Sequence, residues 1–152
     1  MINLEDFLKT QALKSGSLSI VGGSPLFKEK IPYAISINGF HKECSIAAIN
    51  SSKSDYRRCI GNFAYIIAPN PIRKMPESVI VPEKKFCVPD IFPGRQPTTY
   101  FCLILTCDRL NIPTDVYGIC GRASEYHYGD WEMWYMKHKT KMVTIHDPRP
   151  KW

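Results

Sequence analysis

The alternation Lys137, Lys139, Lys141, just after Trp131, Trp134 and Tyr135, is the pattern in this sequence best suited to chemistry with a polyanion. Every second residue of an extended strand shares a face, so the three ammonium groups would form a basic row for a phosphate backbone. The rings beside them would be platforms on which bases stack. Arg57 and Arg58, close to Lys53 in a polar segment, offer a second place for phosphate. A lysine row also has a structural use, because charge on an edge strand prevents pairing with another chain.

Two clusters have the residue types of metal sites: His41, Glu43 and Cys44, and then Glu125, His127, Asp130 and Glu132. Glu125 and His127 alternate, so a strand would present both to one ion. Single His and Glu residues on half-buried strands are more commonly satisfied by hydrogen bonds or water, and the expectation is no metal and no cofactor. The cysteines, at 44, 59, 87, 102, 107 and 120, include no CxxC pair. With no secretory leader at the amino terminus they read as reduced thiols, and those at 102, 107 and 120 sit in apolar runs as small core residues. Gly22-Gly23-Ser24-Pro25 reads as a turn, since it lacks the glycine spacing of a Walker or dinucleotide loop.

The elements that would position these residues begin with a helix. Asn3, with Asp6 three residues on, precedes Phe7, Leu8, Ala12 and Leu13, and the pattern stops at Ser15-Gly16, which predicts a capped amphipathic helix. Ser17 to Val21 is β-compatible. Tyr33 to Asn50 places Asn38-Gly39, the preferred centre of a tight turn, between two β-compatible arms and predicts a hairpin. Tyr100 to Cys107 is an uncharged apolar run that suits a strand buried on both faces, and Val116 to Cys120 reads as its returning partner across a polar turn, giving a second, central hairpin. Ile60 to Ala68 and Met142 to His146 add strands. Seven prolines between residues 69 and 97 confine the segment around Val79 to Val81 to an edge strand.

The predicted fold class is therefore α+β: a mixed, mainly antiparallel sheet built on two hairpins and covered by the amino-terminal helix. The 152 residues, 44% of them hydrophobic, suit a single domain over residues 1–152. A net charge of +6 favours anionic partners. No apolar run approaches the roughly 20 residues that cross a bilayer, so no membrane partner is expected and the chain reads as cytoplasmic.

The order of these elements resembles the restriction-endonuclease-like (PD-(D/E)XK) superfamily: an amino-terminal helix, an apolar strand, Asn38-Gly39, then Glu43-Cys44-Ser45, and later the run from Tyr100 to Ile119. The resemblance implies that Glu43 would belong to a divalent-metal set for phosphodiester hydrolysis. Ser45 stands where that set has lysine, and Tyr33 and Ala34 stand where it has its first acid. What it implies here is a member without catalysis that keeps binding.

The expectation from sequence is thus a non-catalytic basic domain that binds nucleic acid or another polyanion through Lys137, Lys139, Lys141, Trp131, Trp134, Arg57 and Arg58. Two alternatives stand beside it. One is a protein-interaction or self-assembling module forming homo-oligomers; the other is a metal-dependent nuclease using Glu43.

Overall fold

The computed structural model describes residues 3–24, 27–49, 57–59, 61–68, 79–80, 99–118 and 135–146. The first element is as the sequence predicts. Helix α1 spans Leu4–Ser15; the Asn3 side chain accepts the Glu5 N–H, and Gly16 closes the helix at φ 81°. Asn is a favoured N-cap because its oxygen satisfies an N–H that the first turn leaves over, and glycine adopts the left-handed stop without a Cβ clash.

Among the described residues seven strands follow: β1 (Leu18–Val21), β2 (Ile35–Ile37), β3 (Ile46–Ala48), β4 (Tyr65–Ile67), β5 (Val79–Ile80), β6 (Thr114–Tyr117) and β7 (Val143–His146), with helix α2 (Thr99–Arg109) between β5 and β6. They form one sheet in the order β5-β4-β3-β2-β1-β6-β7, and every pairing in it is parallel. The molecule is therefore α/β, and the mainly antiparallel sheet on two hairpins expected from sequence is incorrect.

Neither predicted hairpin forms. In the first, both arms are strands, but Ile35, Ser36 and Ile37 pair in parallel with Ile46, Ala47 and Ala48. Asn38 and Gly39 do take the positive φ that a tight turn needs, 55° and 69°. They turn the chain off the end of β2, and residues 40–45 return it to the opposite edge before it re-enters the sheet. The supposed first strand of the central hairpin is α2. A short apolar run does not distinguish a strand from a buried helix, and residues 101–107 are all buried. Thr106 makes the helical solution workable, because its hydroxyl donates to the Cys102 carbonyl one turn back at 2.7 Å. The proline-rich excursion meets its expectation where it is described: β5 lies at the edge of the sheet.

Side chains alternate between two cores. Leu18, Ile20, Ile35, Ile37, Ile46, Ala48, Ile67 and Val116 face Phe7 and Leu8 of α1 and Phe101, Leu103 and Ile104 of α2. Val21, Ala47 and Ile66 face the other way, against Ile31, Ala34, Cys44, Cys59 and Phe63 from the connections. Helices α1 and α2 thus lie on one face, and the connections, with the helical turn of residues 57–59, pack on the other. Burial of β1, β2 and β3 on both faces is the reason they read as unbroken apolar runs.

The ring of Phe101 is fully buried in the helix-side core. Replacing it with alanine is predicted to cost about 3–5 kcal/mol, read as a lowered midpoint in urea unfolding. A loss below about 1 kcal/mol would contradict a central place for α2.

Candidate functional site at the carboxyl edge of the sheet

A parallel sheet brings the carboxyl ends of all its strands to one edge. In this order the edge has a switch point. From β1 the chain builds β2 to β5 on one side, then crosses over to place β6 and β7 on the other. Connections leaving β1 and β6 run in opposite directions there, and such a switch point is the usual ligand position of open α/β sheets.

Glycine follows three of the strands at this edge: Gly22 and Gly23 after β1, Gly39 after β2 and Gly118 after β6. The Gly22 N–H donates to the Tyr117 carbonyl and the Ser24 N–H to the Gly118 carbonyl, both at 2.8 Å, so the two loops are laced together beyond the last ladder pair. Gly118 has φ 65°, and a Cβ there would lie 2.8 Å from the Gly22 oxygen. Side chains are excluded by this backbone contact. The Gly22–Ser24 loop thus occupies the position of a phosphate loop without its fingerprint.

His41 fixes the loop from the β2 side. Its backbone N–H donates to Ser36 Oγ at 2.9 Å. On the ring, Nε2 lies 2.8 Å from the Gly22 carbonyl and Nδ1 3.3 Å from Glu43 Oε1. Phe27 joins this side to β6, with its ring edge-on to His41 at 6.0 Å and 5.5 Å from Tyr117. Tyr117 in turn stacks on His146, the last residue of β7, at 4.3 Å and 13°. His146 Nε2 meets Asp115 Oδ1 at 2.9 Å, and the other Asp115 oxygen accepts from the Ser17 hydroxyl at 3.1 Å. Burial, and after it the Asp115 carboxylate, pushes the Tyr117 phenol up from its ordinary value, so at neutral pH its O–H stays available as a donor.

Asn38 completes the edge. Its N–H continues the ladder to the Ala48 carbonyl at 2.7 Å, and its own carbonyl accepts from Arg58 Nη1 at 3.1 Å. The side-chain oxygen, Oδ1, is buried and has no hydrogen-bond partner. Among the described residues no other buried side-chain nitrogen or oxygen is left so.

α2 adds polarity to this edge. Its last turn lies at the amino edge, where Asp108 Oδ1 accepts the Lys141 and Met142 N–H groups at 2.8 Å as the chain enters β7. The helix therefore starts on the carboxyl side. There is no acidic residue in its first turn, in contrast to Glu5 and Asp6 in α1. The helix dipole favours negative charge at such an end.

The residues singled out from sequence are dispersed. Residues 135–139 are helical, not extended, so Lys137 and Lys139, two positions apart, point about 200° from each other. Lys137, Lys139 and Lys141 are all exposed, but they form no row on a strand. Tyr135 packs into the protein, edge-on to Phe101 at 5.7 Å. Trp131 and Trp134, with Glu125, His127, Asp130 and Glu132, lie outside the described residues. Arg57 and Arg58 are exposed on the helical turn of residues 57–59. Glu43 sits in the β2–β3 connection beside His41, and among the described residues no three His, Cys, Asp or Glu side chains converge as a metal set. The segment compared with the restriction-endonuclease-like hairpin is the parallel β2–β3 unit.

Asn38, Tyr117, Gly118 and the His146–Asp115 pair were not singled out. The signal that marks them is a strand of three or four residues followed within two positions by glycine, at β1, β2 and β6. Comparison with protein-family models, with curated proteins and with solved structures returns no match for this chain.

Two of the buried thiols are held in the unreactive protonated form. Burial, then the Glu43 carboxylate, pushes the Cys44 thiol up to about 12, and burial does the same for Cys107, also to about 12. Thiolate is the reactive form, so pulsed alkylation at pH 8 should leave both unlabelled until the protein is unfolded. Labelling of either at the rate of a free thiol, read by peptide mass spectrometry, would contradict the packing described.

Proposed function

We propose that the carboxyl edge of β1, β2 and β6 binds a small phosphorylated, hydroxyl-bearing ligand of nucleotide type. The observation that carries this is the buried, unpartnered Oδ1 of Asn38 beside the switch point. A buried acceptor left without a donor costs roughly 1–3 kcal/mol, and proteins keep such groups where something else supplies the hydrogen bond. An oxygen accepts, so the ligand must bring a donor, which a ribose hydroxyl or a base amino group does. Two features support the anionic part: the α2 amino terminus without acid in its first turn and the net charge of +6.

Calorimetric titration with nucleoside mono- and diphosphates tests the proposal. The informative variant is Asn38→Gly, because glycine accepts the φ of 55° while removing the amide. It should fold and lose at least about tenfold in affinity, about 1.4 kcal/mol. No binding by the natural chain, or equal affinity in the variant, would defeat it.

The polyanion reading drawn from the sequence is retained as a second proposal because Lys137, Lys139 and Lys141 are all exposed. Binding of this kind weakens steeply with salt, with a log–log slope near −0.9 for each phosphate neutralised on duplex DNA. Affinity for a DNA duplex should fall accordingly between low and physiological salt, and should drop further when all three lysines are changed to alanine. Binding that ignores salt would refute it.

A further inference from the structure

The last pair of the β6–β7 ladder is Tyr117 with His146, so the His146 ring stands at the carboxyl edge, one strand beyond the switch point. Val116 lies in the helix-side core and Ile145 packs against it, which puts Asp115, Tyr117 and His146 on the opposite face. Two contacts fix the imidazole there. Tyr117 stacks on its flat side, with centroids 4.3 Å apart and planes 13° from parallel, and Nε2 lies 2.9 Å from Asp115 Oδ1. Asp115 is itself held, because its second oxygen accepts the Ser17 hydroxyl at 3.1 Å. A carboxylate only accepts, so Nε2 carries the proton in this contact and the lone pair of the neutral ring lies on Nδ1. Among the described residues nothing bonds Nδ1, and the His146 side chain is 43% exposed. An exposed pair of this kind adds little stability. What the chain Ser17, Asp115, His146 does supply is a fixed ring with its reactive nitrogen outward.

Resting on the nucleotide-type reading of this edge, we infer that His146 is a nucleophile whose Nδ1 accepts the terminal phosphoryl group of a nucleoside diphosphate held at Asn38. Asn38 follows β2 and His146 ends β7, three ladder intervals away, which ordinary strand spacing makes about 14 Å. A nucleotide laid along the edge has its ribose or base at the first residue and its terminal phosphate at the second. In the step, the Nδ1 lone pair forms a bond to phosphorus and the bridging P–O bond breaks. The electron pair of that bond leaves on the nucleoside monophosphate, which departs as an anion and needs no proton. Nothing is oxidised or reduced, and the product is a phosphohistidine. The ring gains positive charge as the N–P bond forms, and the Asp115 carboxylate offsets that charge through the Nε2–H contact. Asp115 is thus a positioning residue for the ring.

The test incubates the full chain with the magnesium salt of each common nucleoside diphosphate and, separately, with phosphoramidate, a small chemical phosphoryl donor. Peptide mass spectrometry locates the group, and its loss in acid but not in alkali marks a P–N bond. The expected result is a phosphoryl group on His146, with one nucleoside monophosphate released for each group bound. His146→Gln keeps a donor for Asp115 and should abolish the label, while changing diphosphate affinity, read by calorimetry, less than about twofold. Asp115→Asn still accepts from Ser17 and should slow labelling at least about tenfold with affinity likewise kept. Thermal unfolding confirms that both variants are folded. An unchanged labelling rate in Asp115→Asn would overturn the role of Asp115. Affinity for a diphosphate with no label on His146, or a label spread equally over His41 and His146 by phosphoramidate, would overturn the role of His146 while leaving the site standing. Label from phosphoramidate and none from any diphosphate would overturn the nucleotide as donor. No affinity for any diphosphate would defeat the reading of the edge, and this inference with it.

Discussion

Parallel pairing obliges every connection in this protein to carry the chain from one edge of the sheet back to the other. A two-residue turn joins antiparallel strands only; parallel neighbours need a crossover, usually a helix. Between β2 and β3 the crossover is residues 38–45 and contains no helix. Loops this short hold their shape through side chains: Ser36 accepts the His41 N–H, Cys44 donates from its thiol to the Ile31 carbonyl at 3.3 Å, and Cys59 and Phe63 fill the space at Gly39. The second core is built from these connections.

The same constraint collects chemistry at one end. Strands of two to four residues leave little room along their length for functional side chains, since both faces of the central strands are consumed by packing. Polar groups appear where the ladder stops. Asn38 follows β2, Gly22 to Ser24 follow β1, Gly118 follows β6 and His146 ends β7. Asp115, one strand inward, orients His146 and ties it to Ser17 through its second oxygen. An acceptor such as Asn38 Oδ1 persists there unpaired because the backbone around it is over-determined, by the ladder bond to Ala48, the guanidinium of Arg58 and the left-handed φ of Asn38 and Gly39.

Local signals in the sequence were sound, and the global ones were not. The N-cap, the glycine stop, the extent of β1 and β7, and the edge position of β5 follow from short-range rules that the structure obeys. Strand direction is a long-range property. Asn38-Gly39 carried the dihedral signature of a hairpin, and its residues do adopt it, but pairing was decided by burial: Ile35 and Ile37 needed Ile46 and Ala48 on the same helix-side face. At Tyr100 to Cys107, an all-apolar octet hid its period, because a helix buried nearly all round and a strand buried on both faces have the same composition. The lysine alternation failed similarly, since a period of two has meaning only on a strand. Arg58 was legible as a basic residue near Asn38 in no linear sense; only the fold brings it there.

The central proposal is that a small nucleotide-type ligand binds at the carboxyl edge, away from the lysines near β7. Backbone amide shifts, followed by nuclear magnetic resonance as a nucleoside monophosphate is added to labelled protein, test it most directly. The account predicts saturable shifts at Gly22 to Ser24, Asn38 to His41, Arg58, and Tyr117 to Gly118, with residues 137–141 unmoved. Shifts concentrated at 137–141, or none at the carboxyl edge, would contradict it.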